Sequence, residues 1–189
     1  MRTLASIVTM LAGLTGSVTS INGVHGTVHA GNRPQADAVV WFDVHDAAPA
    51  RNAHAVLDQR NLTFDPHVLA IQVGTAVELP NHDRVFHNVF SFHDGKRFDL
   101  GLYPVGTSRR LTFDRPGLSR VFCNIHPGMA AYVLAVETPY FGVSDPNGRF
   151  AIPLVPSGTY TYHAWRAGAE TISGTVSVEP ETPLDLRWP

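Results

Sequence analysis

Residues 121–129, Val-Phe-Cys-Asn-Ile-His-Pro-Gly-Met, decide how this chain folds. The stretch begins as an apolar run typical of a β-strand and ends with Cys123, His126 and Met129 at intervals of three residues. In both directions from it, short runs rich in Val, Ile, Phe, Tyr and Thr alternate with Gly, Pro, Asn and Asp. Because helical periodicity is almost absent beyond residue 20, the sequence predicts an all-β chain built from sandwiches.

Apolar alternation and flanking turn residues predict strands along the whole chain beyond residue 20. The predicted strands are residues 24–28, 38–44, 68–73, 77–79, 87–92, 108–113, 117–122, 131–136, 148–152, 158–165 and 170–178. A domain usually has about 100–150 residues, so a chain of 189 residues is long enough for one large domain or two small ones. Two small β units are therefore an allowed arrangement.

The loop at 123–129 carries a soft set of metal ligands: the Cys123 thiolate, the His126 imidazole and the Met129 thioether. Copper suits this set because Cu(I) favours sulfur and Cu(II) accepts imidazole. Two histidines, one cysteine and a distant methionine form a blue-copper site. The second histidine must come from another strand, and His87 begins an apolar alternating run. We predict a site for one copper ion with the ligands His87, Cys123, His126 and Met129.

Other assignments of these residues remain open at this point. His82 and His93 flank the same segment, and either is an alternative to His87. Zinc is the nearest competing metal, although structural zinc sites favour several thiolates and rarely use a thioether. Without a metal, Cys123 is an inert buried thiol and Met129 fills the core. We do not predict an enzyme, because Met129 closes the coordination position that catalysis would need and no second copper centre is evident in the sequence.

The first twenty residues have the layout of a cleaved export signal: Arg2, a mostly apolar stretch at 4–14, and small polar residues up to Ser20. The apolar stretch is shorter than the ~20 residues that span a bilayer. We therefore expect a periplasmic or secreted protein with no membrane span after cleavage. A buried N-terminal helix or an uncleaved anchor is the alternative. Exported proteins normally pair their cysteines, so the single Cys123 is better explained as a metal ligand.

The charge of the chain excludes one class of partner. Its formal net charge is -2, with 14 Lys and Arg against 16 Asp and Glu. A nucleic-acid-binding surface needs a clustered excess of basic residues. We therefore expect no nucleic-acid partner.

Two separated motifs, in the right order, give this sequence a likeness to a known family. They are Val-Gly-Thr-Ala-Val-Glu-Leu-Pro-Asn at 73–81 followed by His87-Asn88, and Cys-x-x-His-x-x-Met at 123–129 preceded by Phe122. With these motifs, residues 53–137 resemble the cupredoxins, the small blue copper proteins that include plastocyanin, pseudoazurin and amicyanin. The resemblance implies a Greek-key β-sandwich and the copper ligands predicted above. It also implies that Asn88 ties the two ligand loops together and so orients the ligands.

The flanking segments resemble a different module. Asp-Pro-Asn-Gly-Arg-Phe at 145–150, Val-Pro-Ser-Gly-Thr-Tyr at 155–160 and Gly-Val-His-Gly-Thr-Val at 23–28 resemble the carboxypeptidase-regulatory-like, or transthyretin-like, β-sandwich. The likeness implies that residues 21–48 form the first strands of such a sandwich and 138–189 the remainder. The cupredoxin domain at 53–137 would be inserted in it or packed against it, which is tolerated when the ends of the insert lie close together. Alternatively, residues 21–48 add strands to the cupredoxin.

The resemblance implies a type 1 copper protein that carries single electrons between redox partners in the periplasm. A c-type cytochrome or a dehydrogenase is the expected kind of partner, docking on an apolar collar of Pro127, Ala130, Tyr103 and Pro104. One alternative is a periplasmic copper carrier, although three Met residues do not form the Met-rich tract such proteins offer. The other is a non-redox β-sandwich that binds carbohydrate or only stabilises a larger structure.

Overall fold

The computed structural model describes residues 23–45, 47–92 and 94–189. All the regular secondary structure in these ranges is β-strand, which confirms the all-β prediction. The strands are β1 Gly23–Ala30, β2 Arg33–Pro34, β3 Val39–Phe42, β4 His54–Val56, β5 Asp58–Arg60, β6 Thr63–Asp65, β7 Val68–Gln72, β8 Ala76–Pro80, β9 His87–Ser91, β10 Phe98–Tyr103, β11 Ser108–Thr112, β12 Gly117–Phe122, β13 Ala130–Val136, β14 Phe141–Val143, β15 Arg149–Pro153, β16 Gly158–Trp165, β17 Ile172–Val178, β18 Thr182–Pro183 and β19 Leu186–Trp188. The predicted export signal at 1–20 lies outside the described residues.

Two sheets from the middle of the chain enclose the first hydrophobic core. One sheet has the strand order β10-β9-β12-β13-β7 and the other the order β11-β8-β4. Alternate residues of these strands point inward, and Ile71, Val77, Val89, Val121 and Val133 are all at most 3% exposed in a single cluster. The two sheets therefore form a β-sandwich.

The two ends of the chain build a second sandwich. β1 pairs with β15 and with the C-terminal strands β18 and β19, while β3 lies between β14 and β16 in a four-stranded sheet. Val24, Phe42, Ile152 and Trp188 belong to its buried cluster. Segments more than a hundred residues apart in the sequence thus share one core.

Strand β13 joins the two sandwiches because it is buried on both faces. Val133 faces the first core, whereas its neighbours Leu134 and Val136 belong to a third cluster with Val39 and Trp165 of the second sandwich. A strand covered on both sides needs apolar residues at every position, which explains the continuous apolar run at 130–136. The described residues contain no helix with the length and apolarity of a membrane span.

Candidate metal centre

The sheet itself brings two distant segments of the sequence to one place. Strands β12 and β9 are antiparallel, with Phe122 opposite Phe90. Beyond Phe122 the chain therefore runs towards the start of β9, where His87 lies. Cys123 is the residue that follows β12, and the loop 123–129 then leads into β13. This register places Cys123 and His126 beside His87.

Three ligand atoms converge at this point. Cys123 Sγ lies 3.7 Å from His87 Nδ1 and 3.7 Å from His126 Nδ1, and the two nitrogens are 3.1 Å apart. The centre of that triangle is about 2.0 Å from each atom, close to the 2.0–2.1 Å and 2.3 Å that nitrogen and sulfur ligands keep from zinc. Among the described residues these three form the one group of His, Cys, Asp and Glu that could hold a metal ion. A thiolate with two imidazoles fits copper.

The burial of these residues differs in a way that matters for chemistry. His87 is fully buried and Cys123 is 3% exposed, whereas His126 is only partly buried. Water is therefore excluded from one side of the triangle, and the His126 ring lies between the interior and the solvent. Phe86 and Ile125, which precede the two histidines, are 51% and 48% exposed.

Met129 lies in the same buried cluster as Cys123 and is 1% exposed. Its backbone N–H donates to the His126 carbonyl at 2.9 Å, and its carbonyl accepts from the Cys123 N–H at 3.3 Å. The ligand loop is thus closed by its own backbone. Methionine is the weak, distant ligand of blue-copper sites, so Met129 as a fourth ligand stays a prediction.

Asn88 connects the two segments that carry the candidate ligands. Its Oδ1 accepts a hydrogen bond from the backbone N–H of Asn124 at 3.3 Å, and its Nδ2 donates to Asp99 Oδ1 at 2.8 Å. The first bond joins the residue after His87 to the residue after Cys123. Asn88 is 4% exposed, whereas its partners Asp99 and Asn124 are exposed, so both bonds are only partly buried.

Asp83, which the sequence analysis did not single out, contacts the His87 ring. Asp83 Oδ2 lies 3.0 Å from His87 Nε2 and also accepts from the Leu62 N–H at 2.7 Å, while Oδ1 accepts from the Arg84 N–H at 2.8 Å. Burial raises the pKa of Asp83, but hydrogen bonds from Leu62, Arg84 and His87 outweigh it, so the pKa is lowered overall. The group is therefore a carboxylate at neutral pH.

The other histidines considered for the site fall into two cases. His82 lies away from the triangle and is half exposed, with its Nδ1 3.0 Å from Asp58. His93 lies outside the described residues.

The prediction that Tyr103 belongs to an apolar collar at the surface of the site is wrong. Tyr103 is fully buried, and its hydroxyl donates to the Leu79 carbonyl at 3.1 Å and accepts from Gln59 Nε2. Burial raises the pKa of Tyr103 to about 12. It pairs with His87 across β9 and β10, so it packs beneath the site and takes no part in the surface. Pro127, in contrast, is exposed as expected.

Comparison with known proteins finds cupredoxins among the structural neighbours. A purple cupredoxin from Nitrosopumilus maritimus matches 43% of this chain and 99% of its own, at 26% identity and a TM-score of 0.40. Amicyanin from Paracoccus versutus matches 51% of this chain and 97% of its own, at 19% identity and a TM-score of 0.40. The chain covers a quarter (25%) of the copper-containing nitrite reductase NirK from Thermus scotoductus, at 25% identity and a TM-score of 0.44. All three TM-scores lie below 0.5, and the assignment of the site therefore rests on its own residues. No family model and no curated protein matches the sequence.

Proposed function

We propose that this protein is a type 1 copper protein that carries single electrons between redox partners outside the cytoplasm. The convergence of Cys123 Sγ with Nδ1 of His87 and His126, at mutual distances of 3.1–3.7 Å, carries the proposal. Met129 is proposed as the weak fourth ligand. Bound copper would supply the exchange between Cu(II) and Cu(I).

The residues around the triangle support electron transfer over storage. His87 is held by Asp83, and the loop of Cys123 is closed on Met129, so the ligands are fixed by contacts within the protein. Fixed ligands keep one geometry in both oxidation states, which lowers the reorganisation that accompanies a one-electron step. A carrier that releases its metal has no need of such rigidity.

The exposed apolar residues support a docking surface for a redox partner such as a c-type cytochrome or a dehydrogenase. Val85, Phe86 and Ile125 are 39%, 51% and 48% exposed, and Phe86 and Ile125 each adjoin a proposed ligand in the sequence. Pro127 is exposed next to His126. An apolar surface around a partly exposed ligand ring permits short-lived contact close to the metal.

The location and the domain organisation complete the proposal. Residues 1–20 are proposed as an export signal, which places the mature chain in the periplasm or outside the cell. Residues 21–48 and 138–189 are proposed as a carboxypeptidase-regulatory-like unit around a cupredoxin domain at 53–137. The separate clusters around Val89 and around Phe42 support this division.

The visible spectrum of the copper-loaded protein tests the function. The chain from Ile21 onward is mixed with Cu(II), and the wild type is compared with Cys123→Ser, His87→Ala and, as a control, His82→Ala. We expect an intense thiolate-to-copper band in the wild type and in His82→Ala, no such band in Cys123→Ser, and a lost or strongly altered band in His87→Ala. A colourless wild type that also shows no reversible one-electron wave would contradict the proposal.

A further inference from the structure

The carboxylate of Asp83 lies in the loop between β8 and β9 and has three hydrogen-bond contacts. It accepts from the backbone N–H groups of Leu62 at 2.7 Å and Arg84 at 2.8 Å, and its Oδ2 lies 3.0 Å from His87 Nε2. The Asp83 side chain is 9% exposed and the His87 side chain 0%. This pair is more deeply buried than the other His–carboxylate pairs that the structure describes, such as His163–Asp43 with exposures of 26% and 50%.

We propose that Asp83 is a positioning residue that selects the tautomer of His87 and, through its charge, sets the balance between the two oxidation states of bound copper. The second half of the proposal rests on the proposed function, whereas the first does not. A backbone N–H can only donate, so the carboxylate facing Leu62 and Arg84 acts purely as an acceptor. His87 must then carry its proton on Nε2. A neutral imidazole has one ring proton, so Nδ1 keeps its lone pair and directs it towards Cys123.

Specific contacts on both sides of Asp83 hold its carboxylate in place. Asn81 is fully buried, and its Oδ1 accepts from the Asp83 N–H at 3.1 Å while its Nδ2 donates to the Val85 carbonyl at 2.9 Å and the Tyr103 carbonyl at 3.3 Å. The loop on both sides of Asp83 is therefore fixed. On the opposite side, Leu62 adopts a φ of 57°, a left-handed conformation that non-glycine residues seldom use. That conformation belongs to the turn from which its N–H reaches Asp83.

The charge of Asp83 acts on the metal in a definite direction. A carboxylate one imidazole ring away stabilises Cu(II) more than Cu(I), because the attraction grows with the charge of the ion. Its hydrogen bond also makes the His87 ring a stronger donor to Cu(II). Removal of the charge should therefore raise the reduction potential.

The tautomer is tested in the metal-free wild type, where no substitution can unfold the chain. Long-range ¹⁵N–¹H correlation spectra of uniformly ¹⁵N-labelled protein at pH 8 distinguish protonated from unprotonated ring nitrogens. We expect the Nε2–H tautomer for His87, with its proton protected from exchange with water. An Nδ1–H tautomer, or an even mixture of the two, would overturn the proposal.

The charge is tested with Asp83→Asn, which keeps an oxygen acceptor for the ring and loses the negative charge. Outer contacts of this kind are typically worth 10–100-fold in metal affinity, so we expect Cu(II) to bind about 10–100-fold more weakly in the variant. If Cu(II) weakens tenfold more than Cu(I), the reduction potential rises by about 59 mV. Asp43→Asn is the control: it neutralises a carboxylate paired with His163 at 2.8 Å in the second sandwich and should leave the potential unchanged.

The outcomes separate this proposal from the proposed function. A blue wild type in which Asp83→Asn leaves both potential and copper affinity unchanged would overturn the role of the charge and keep the function. A colourless wild type in which His87 carries its proton on Nε2 would contradict the function and support the positioning role. If Asp83→Asn fails to fold, the wild-type tautomer still decides the positioning role.

Discussion

Asn88→Ala should loosen the junction between the two ligand-bearing segments. The side chain accepts from the Asn124 N–H at 3.3 Å and donates to Asp99 Oδ1 at 2.8 Å, and alanine makes neither bond. The Asn124 N–H belongs to the residue after Cys123, whereas Asn88 follows His87. The substitution therefore removes a direct link between β9 and the ligand loop and leaves the pairing of their strands intact.

The expected cost follows from the two bonds. A hydrogen bond to a charged acceptor contributes about 1.5–3 kcal/mol, and the low end applies here because Asp99 is exposed. The longer bond to Asn124 contributes about 0.5 kcal/mol, at the low end for a neutral pair. The total of about 2 kcal/mol corresponds to a fall in Tm of about 4–8 °C for a chain of this size. Copper affinity should also fall by about twofold to fivefold, because the metal must then order a loop that Asn88 otherwise holds.

Thermal unfolding of the metal-free protein, followed by circular dichroism, measures the stability change, and competition with a chelator of known affinity measures copper binding. Asn124→Ala is the matched control, because it keeps the backbone N–H that Asn88 contacts and removes only an exposed side chain. We expect its Tm to stay within about 1 °C of the wild type, as is usual for surface substitutions. Equal Tm values for Asn88→Ala and the wild type would refute the reasoning.

Three further predictions concern other parts of the molecule. In Gly26→Ala the new Cβ would lie 1.9 Å from the Leu184 carbonyl oxygen, so β1 and the C-terminal segment must separate. We expect the free energy of unfolding, measured by thermal unfolding, to fall by about 1–3 kcal/mol or more. An unchanged Tm would contradict this packing. Met129→Leu conserves volume in the core and should cost less than about 1.5 kcal/mol, yet it should shift the visible band and the reduction potential; an unaltered spectrum and potential would exclude Met129 as a ligand. The pKa of Asp185 is lowered by hydrogen bonds from the Thr27 hydroxyl and backbone N–H, so its contribution to stability is present above the ordinary Asp pKa of about 3.9 and is lost as the pH falls through the lower folded value. Asp185→Asn should therefore be less stable than wild type by about 0.5–1 kcal/mol at pH 7, and this difference should shrink as the pH falls below about 3.9; a difference that stays constant into the acid range would contradict the linkage.

Strands that begin directly after a clear turn signal, such as Arg115-Pro116 or Pro156-Ser157, could be predicted closely from the sequence. Gly117–Phe122 and Gly158–Trp165 have the bounds that were expected. The strand Phe98–Tyr103 was missed because its register shifts between Asp99 and Leu102, next to Gly101 with a φ of 65°. The shift leaves Leu102 57% exposed and turns Tyr103 into the core, so the apolar pattern loses its period.

The hairpin of Asp58–Arg60 and Thr63–Asp65 was missed for a different reason. Its turn residues Asn61 and Leu62 both have positive φ values, 53° and 57°. Asn is a common residue in such a turn, but Leu is not, so the sequence carries no hairpin signal there. The backbone N–H of Leu62 donates a hydrogen bond to Asp83, twenty-one residues away, and this bond offsets the cost of the left-handed conformation of Leu62. No local sequence pattern reveals such a contact.

The same distinction applies to the metal centre. The meeting of His87, Cys123 and His126 could be predicted because one loop spaces Cys123 and His126 and because His87 opens an apolar strand. Met129 as the fourth ligand stays a prediction. Asp83 lies in a segment that the sequence marks only as a turn, and its contact with His87 depends on how residues 81–86 fold back on β9. The local sequence shows which residue types could bind a metal. Which side chain contacts the ring of a candidate histidine depends on the tertiary structure.

Asp83 and Asn88 have different roles in the candidate site. Asn88 joins two backbone segments and touches no ligand atom in the triangle, so its loss should act mainly on stability and on the order of the loop. Asp83 touches a ligand ring and carries a charge, so its loss should act on the ratio of Cu(II) to Cu(I) affinity. Both constraints use protein groups alone, so they would keep the proposed donor atoms in place whatever the charge of a bound ion. If Asn88→Ala shifted the potential while Asp83→Asn shifted only the Tm, the site would not be organised in this way.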